Sequence, residues 1–524
     1  MRKFMEEGNA VLGIELGSTR IKAVLIDDGY LPIVSGSHAW ENKLENGLWT
    51  YSLDDAWNGI QKAYQKLAEE VRKKYGCVLK SFKAIGISGM MHGLLALDKD
   101  DNLLTPFRTW RNTNAGAAAE TLTKLLNFNI PMRWSVAQLY QAILNNEPYI
   151  KDITFLTTLS GYMHYRLTGK KVLGLNDASG MFPIDVAAGT YDADMLAKFT
   201  ALPEIESLPW QLKDILPKVL PAGANAGTIT EEGTKLLDPS DNLQAGIRLC
   251  PPEGDMGTGM VATNSVKPGT GNISAGTSVN ALVVTEKYLT KVYSEIDMIT
   301  TPDGCPAALV HANNCTSDIN AWASVFDEFA KAIGAEIDGD RLMTLLFKKT
   351  KKADKDLGGL LSYNYLSGES ITNLTEGRPL FVRQPDGNFN LANFMKAHLY
   401  SAVATLKIGL DILGNENVNI ESMFGHGGFF KTDNNGQSVV AAATGVPITV
   451  MENAGEGGAW GIALLAAYAA DNRGKDLGQF LETVFVNIKK TVILPEKTEI
   501  ESFELFMQKY IKGLEIEKQA VKSM

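Results

Sequence analysis

A turn of the form Gly-Ser/Thr-Ser/Thr, flanked by runs of apolar residues, occurs twice in this 524-residue chain, at Gly17-Ser18-Thr19 and Gly276-Thr277-Ser278. Apolar residues alternate along 11–27 with the period of a strand, and the break at Gly17 makes the segment a two-stranded hairpin. Residues 271–275 and 279–285 repeat that pattern around Gly276. The turns stand 259 positions apart, close to half the length, so each half opens with the same hairpin and the chain reads as an internal duplication. Ordinary hairpins use the same residues, but backbone N–H groups and two hydroxyls on a tight turn also suit phosphate oxygens. Two such turns on one ligand would clamp a nucleotide's phosphates from both sides.

The length exceeds one ordinary core and fits two large domains. Hydrophobic content of 45% with 21% charged residues is that of a globular enzyme. A net charge of -10 with dispersed Lys and Arg leaves no basic stripe for nucleic acid and argues against an anionic membrane surface. Cysteines at 77, 250, 305 and 315 lack CxxC spacing, so neither a zinc site nor a disulfide framework is expected, and a reducing cytoplasm is. The start carries Arg2, Lys3, Glu6 and Glu7 without a long apolar stretch, and the apolar run 459–470 is too short to span a bilayer.

Chemistry concentrates in a few places. Asp255 lies between Gly254 and Met256 with Gly257 and Gly259 following, which delivers a carboxylate on a backbone with little side-chain bulk. An Asx turn gives the same local pattern. Residues 257–262 match a loose GxGxxA dinucleotide pattern; with Asp255 they read better as the start of a helix whose N-terminus faces an anion. Residues 244–250 read as a strand leading there, with the domain boundary following at 264–268. Ser52 with Asp55 three residues later signals a helix start, and Trp57, Ile60, Tyr64, Leu67 and Val71 share one face before a stop near Gly76. A strand over 82–88 then delivers Gly89-Met90-Met91-His92-Gly93, where a histidine on a glycine-flanked loop suits either a polar ligand or a structural hydrogen bond.

The segment 106–114 gathers Trp110, Arg111 and Asn112, and indole faces with amides suit a polyhydroxylated substrate, although a solvated loop over a buried Trp has the same composition. Residues 115–170 read as mainly helical, and the turn region 173–180 takes no assignment from its pattern. A long amphipathic helix covers 391–413, Gly427-Gly428 lets the backbone approach a flat group, and Gly455-Glu456-Gly457-Gly458 opens the helix 459–470. From 490 onward the chain reads as a charged helical tail. Walker A, protein-kinase and HExxH signatures are absent.

Taken in order, these motifs resemble the FGGY carbohydrate kinases, of the ribonuclease-H-like superfamily with actin and the hexokinases. The resemblance runs over about residues 11–470. The first phosphate loop resembles 13–22, with Gly17, Ser18, Thr19 and Lys22; Ser88-Gly89-Met90-Met91-His92 is close to the Ser-Gly-Gln-Met-His of xylulokinases; the Trp-x-Asp sugar loop resembles Trp110-Arg111-Asn112. Gly254-Asp255 resembles the catalytic Gly-Asp, Gly276-Thr277-Ser278 the second phosphate loop, 363–369 the second-domain signature, and 425–430 with the 456–466 helix start the adenosine site. Two positions depart from the family pattern: Glu15 stands for an Asp of the magnesium shell, and Asn112 for the sugar-loop Asp.

The resemblance implies an α/β fold of two related domains around a central cleft, 1–265 and 266–490, with 491–524 as the tail. It implies ATP and Mg²⁺ as cofactors, Asp255 as catalytic base, Glu15 and Asp255 at the metal, and Met91, His92, Trp110, Arg111, Asn112 and Asp255 at the sugar. Gly17, Ser18, Thr19, Lys22, Gly276, Thr277, Ser278, Gly427, Gly428, Phe429 and Glu456 would hold the nucleotide. The expected substrate is a ketopentose, D-xylulose or L-ribulose, converted to its 5-phosphate by a soluble cytoplasmic enzyme, with a homodimer compatible. Alternatives are another polyol or sugar, an actin-like or chaperone-like ATPase without a sugar, and, on GxGxxA alone, a dinucleotide-dependent sugar oxidoreductase.

Overall fold

The computed structural model describes residues 1–431, 434–452 and 457–524. They form two compact units: the first unites Met1–Lys267, Met298–Ala307 and Glu456–Asn487, the second Pro268–Asp297, Ala308–Gly455 and Ile488–Met524. The division is therefore discontinuous, unlike the expected split at 265/266 and 490/491.

In the first unit β1 (Val11–Leu16), β2 (Arg20–Ile26), β3 (Pro32–Ala39), β4 (Ala84–Gly89) and β5 (Glu253–Gly254) form a sheet in the order β5-β4-β1-β2-β3. The β1–β2–β3 meander is antiparallel, and β4 and β5 run parallel to β1. Leu12, Ile14 and Leu16 on one face of β1 are fully buried in the same core as Ile60, Ala63 and Leu67 of the helix Leu53–Tyr75. That helix begins where expected, with the Ser52 hydroxyl accepting from Asp55 N at 3.3 Å, and ends at Gly76 with φ 65°. Such a cap contributes about 1 kcal/mol. The other face meets the helix Gly457–Ala470 at glycines: a Cβ on Gly13 would lie 2.1 Å from Ala459 O, and one on Gly86 2.6 Å from Ile462 O. This helix, read from sequence as part of the second half, belongs to the first unit. The strand expected over 244–250 reduces to isolated bridges, Arg248 with Thr228 and Leu249 with Ile85. Pro251 and Pro252, which lack N–H donors, follow at once and leave only Glu253–Gly254 to pair.

In the second unit β6 (Thr270–Ala275) and β7 (Val279–Val284) form the second hairpin, followed by β8 (Ile296–Thr300), β9 (Pro306–Ala312), β10 (Ser422–His426), β11 (Ile448–Met451) and β12 (Lys490–Ile493). The sheet order is β8-β9-β7-β6-β10-β11-β12, with β8 carrying the chain out of this unit. Its inner order β11-β10-β6-β7-β9 repeats that of the first unit, strand for strand, and β6 pairs parallel with β10 as β1 does with β4.

The final segment is no appendage. Helix Lys497–Ser523 buries Phe503, Phe506 and Tyr510, and Tyr363 OH donates to Tyr510 O at 2.8 Å. Its apolar stripe was hidden among charges. Among the described residues no helix is long and apolar enough to cross a membrane.

Candidate active site

Ligands of open α/β sheets bind beyond the carboxyl ends of the parallel strands. In the first unit three such ends lie side by side, since Glu15 pairs with Ser88 and Ser88 with Glu253, one residue before Leu16, Gly89 and Gly254. The sheet thus brings together Glu15, the Met91-His92 loop and Asp255 from positions far apart in sequence.

Asp255 opens the helix Asp255–Ala262, whose N-cap Gly254 has no side chain. One carboxylate oxygen accepts from Met91 N at 3.2 Å, which ties it to the His92 loop. Burial pushes its pKa up to about 6, against the backbone N–H groups of Met91 and Met256 that favour the anion. Glu15 accepts from Ala459 N at 3.1 Å, and burial followed by the charge of Asp255 pushes it to about 7. Space for its extra methylene comes from Gly458, where a Cβ would lie 2.3 Å from Glu15 Oε1.

His92 adopts a left-handed backbone, φ 68°, beside Gly93 at φ 88°. Its Nδ1 lies 3.3 Å from Gly180 O and therefore carries the proton, which leaves Nε2 as an acceptor with no partner among the described residues. Burial, followed by the nearby Arg133 charge, drives its pKa down to about 3, so the ring is neutral at any working pH. Arg133 and Trp134, whose indole stacks on His92 at 6.3 Å, were not picked out from sequence. They sit just before the helix Ser135–Leu144, in a stretch whose periodicity reports a helix and nothing about what its start faces.

The expected sugar loop is placed differently. Asn112 is buried and its amide is taken up by backbone: Oδ1 accepts from Trp49 N at 2.9 Å, and Nδ2 donates to Trp49 O at 2.9 Å and Thr109 O at 3.0 Å. An amide satisfies both backbone groups of Trp49 where a carboxylate would satisfy one. Arg111 stacks 4.0 Å over the Trp49 ring and donates to Asn42, while Trp110 remains 39% exposed and so open to contact.

The first turn is closed by Gly17 N donating to Arg20 O, with its carbonyls engaged from outside by Trp40 Nε1 on Gly17 O at 2.7 Å and Tyr51 OH on Ser18 O at 2.6 Å. Lys22 faces Glu15 across the hairpin and lowers its pKa. The second turn is built alike within its own unit: Thr316 donates to Gly276 O through N–H and hydroxyl, and Cys315 N to Thr277 O. Asn364 and the fully buried Glu369 hold that bracing loop, through Cys315 O and through Asn313 N at 2.8 Å. The 363–369 signature therefore acts on the turn through its support.

Gly427, at φ 101°, lets its loop close on Ala275 O, 2.3 Å from where a Cβ would stand, whereas a Cβ on Gly428 would meet none of the described residues within 4 Å. Phe429, expected at the nucleotide, is 2% exposed, and Gly436 packs so closely that a Cβ would lie 2.1 Å from Phe429 O. Its ring fills the core of this unit. Glu456 lies outside the described residues.

Residues 10–238 match the family model for the N-terminal domain of the FGGY carbohydrate kinases, and 271–470 the model for their C-terminal domain. A xylulose kinase of Haemophilus influenzae is 22% identical over 516 residues, covering 96% of this chain and 99% of its own. A solved xylulose kinase from Brucella ovis superposes with a TM-score of 0.77 at 22% identity, covering 96% and 98% of the two chains. A gluconate kinase from Lactobacillus acidophilus gives 0.78 at 18%, covering 96% and 97%. These structures share the two-domain α/β fold. An ATPase without a sugar substrate and a dinucleotide-dependent oxidoreductase both drop out, because the family matches span most of the chain. The chain belongs to the FGGY family of carbohydrate kinases, enzymes that phosphorylate a sugar at the expense of ATP.

Proposed function

We propose that this kinase phosphorylates a ketopentose, D-xylulose or L-ribulose, at its 5-hydroxyl with Mg-ATP. The observation that carries the reading is the pairing of Asp255 with the His92 loop: a carboxylate held near pKa 6 and tied to Met91 N, beside a neutral histidine with an unpartnered acceptor nitrogen. Asp255 takes the proton of the attacking hydroxyl, and His92 Nε2 accepts from a second hydroxyl that fixes the sugar. The N–H groups and hydroxyls of Gly17 to Thr19 and of Gly276 to Ser278 bind phosphate oxygens, which requires both turns to meet one polyphosphate. The open face of Gly428 admits the nucleoside.

Glu15 and Asp255 fit a magnesium ion that takes its remaining ligands from water and phosphate, since two half-buried carboxyls that raise each other's charge problem are relieved by a cation. Bound there, it would offset phosphate charge.

The relative named xylulose kinase supports the pentulose. Arg133 beside His92 favours one competitor, a sugar acid. The test is a coupled assay with D-xylulose, L-ribulose, gluconate, glycerol and hexuloses. Because buried polar groups left unpaired discriminate by about 10⁴ or more, one pentulose should stand clear in kcat/KM. A higher value for gluconate, glycerol or a hexulose sinks the proposal.

A further inference from the structure

Residues 173–180, which carried no assignment as a sequence, lie against both halves of the site. Gly174 N donates to Pro252 O at 2.8 Å, and a Cβ on Gly174 would stand 2.1 Å from Glu253 Oε1. Asp177 N donates to Glu253 Oε2 at 3.1 Å, and Gly180 O accepts from His92 Nδ1. Between them stands Asn176, fully buried, with Oδ1 accepting from Gly257 N at 2.9 Å and Nδ2 donating to Thr300 O at 2.6 Å.

Gly257 is the third residue of the helix that begins at Asp255, so its N–H is one that a helix normally satisfies with the side chain of its N-cap. The N-cap here is Gly254, and it has no room for one: a Cβ would lie 2.0 Å from Met91 Cγ, on the Met91-His92 loop. Close approach of the Met91-His92 loop thus removes the local cap, and an amide from another segment supplies it. An amide also leaves no extra charge beside Asp255, and its second half satisfies Thr300 O.

We propose that Asn176 is the positioning residue of Asp255: it caps the helix from outside and fixes the register of the carboxylate against the Met91-His92 loop. The inference rests on Asp255 being the base. Misplacement by about 1 Å costs on the order of 10²-fold in rate, so Asn176→Ala should lower kcat by about 10–10²-fold while calorimetric Kd values for ATP and D-xylulose change by less than about threefold.

The decisive comparison is with Asp255→Asn. Acting only through Asp255, Asn176→Ala should cost nothing further in the Asp255→Asn background. The same loss in both backgrounds, loosened binding that matches the lost turnover, or an unaffected kcat beside a damaged Asp255→Asn enzyme overturns the inference alone. Near-parental turnover of Asp255→Asn overturns the base assignment instead. Asn176→Ser, which keeps a polar atom but is too short to reach Gly257, carries the same expectations if the alanine variant does not fold.

Discussion

As the proposed base, Asp255 must be ionised to accept a proton, and burial holds its carboxyl up near 6. A raised carboxyl stays protonated to higher pH, so kcat/KM should fall as pH drops through about 6. His92, pushed down to about 3, adds no limb in this range. The Asp255→Asn variant should lose about 10²–10⁴ in kcat and with it the acidic limb, while ATP affinity holds; an unaltered profile in that variant removes Asp255 from proton transfer. Asp255 was visible in the sequence because the glycines around it leave its carboxylate as the only titratable side chain over 254–262. Asn176 and Arg133 were not, since their partners, Gly257 and His92, are tens of residues away and no local pattern records them. Asn112 was legible only in part: its neighbours Trp110 and Arg111 look like a sugar loop, while the pairing of its amide with Trp49, 63 positions earlier, leaves no local trace.

Two helices meet at glycines on the floor of this site. A Cβ on Gly461 would stand 2.0 Å from Thr258 O in the helix that carries Asp255, whereas one on Gly259 of the same helix meets nothing within 4 Å among the described residues. Gly461→Ala should therefore destabilise by about 1–3 kcal/mol in urea unfolding, and Gly259→Ala should be neutral or stabilise by up to about 1 kcal/mol. Equal effects would mean that the contact yields freely. Elements of this kind are half legible. The period of a helix and the break at a glycine are local, so Leu53–Tyr75 and both hairpins could be read in advance. The partner a helix packs against depends on residues hundreds of positions away, and so the packing of Gly457–Ala470 against the first unit could not be read in advance.

At the scale of the molecule, the duplication announced by two turns is present as two sheets of the same inner strand order. The discontinuous division was invisible, because composition does not shift where the chain changes unit. Helix Lys497–Ser523 buries three aromatic side chains in the second unit, each worth about 1.5–3 kcal/mol, which together approach the whole stability of a typical domain. Removing residues 495–524 should thus open the second unit to limited proteolysis; a truncated chain as resistant as the parent would make the helix dispensable. The first unit has a different dependence. Its opening strands β1 and β4 leave glycine-lined gaps that are filled by Gly457–Ala470. On the ribosome those strands emerge early and must wait, one face uncovered, until nearly 400 further residues have been made. The half of the enzyme that is synthesised first therefore cannot complete its fold until most of the second half has been made.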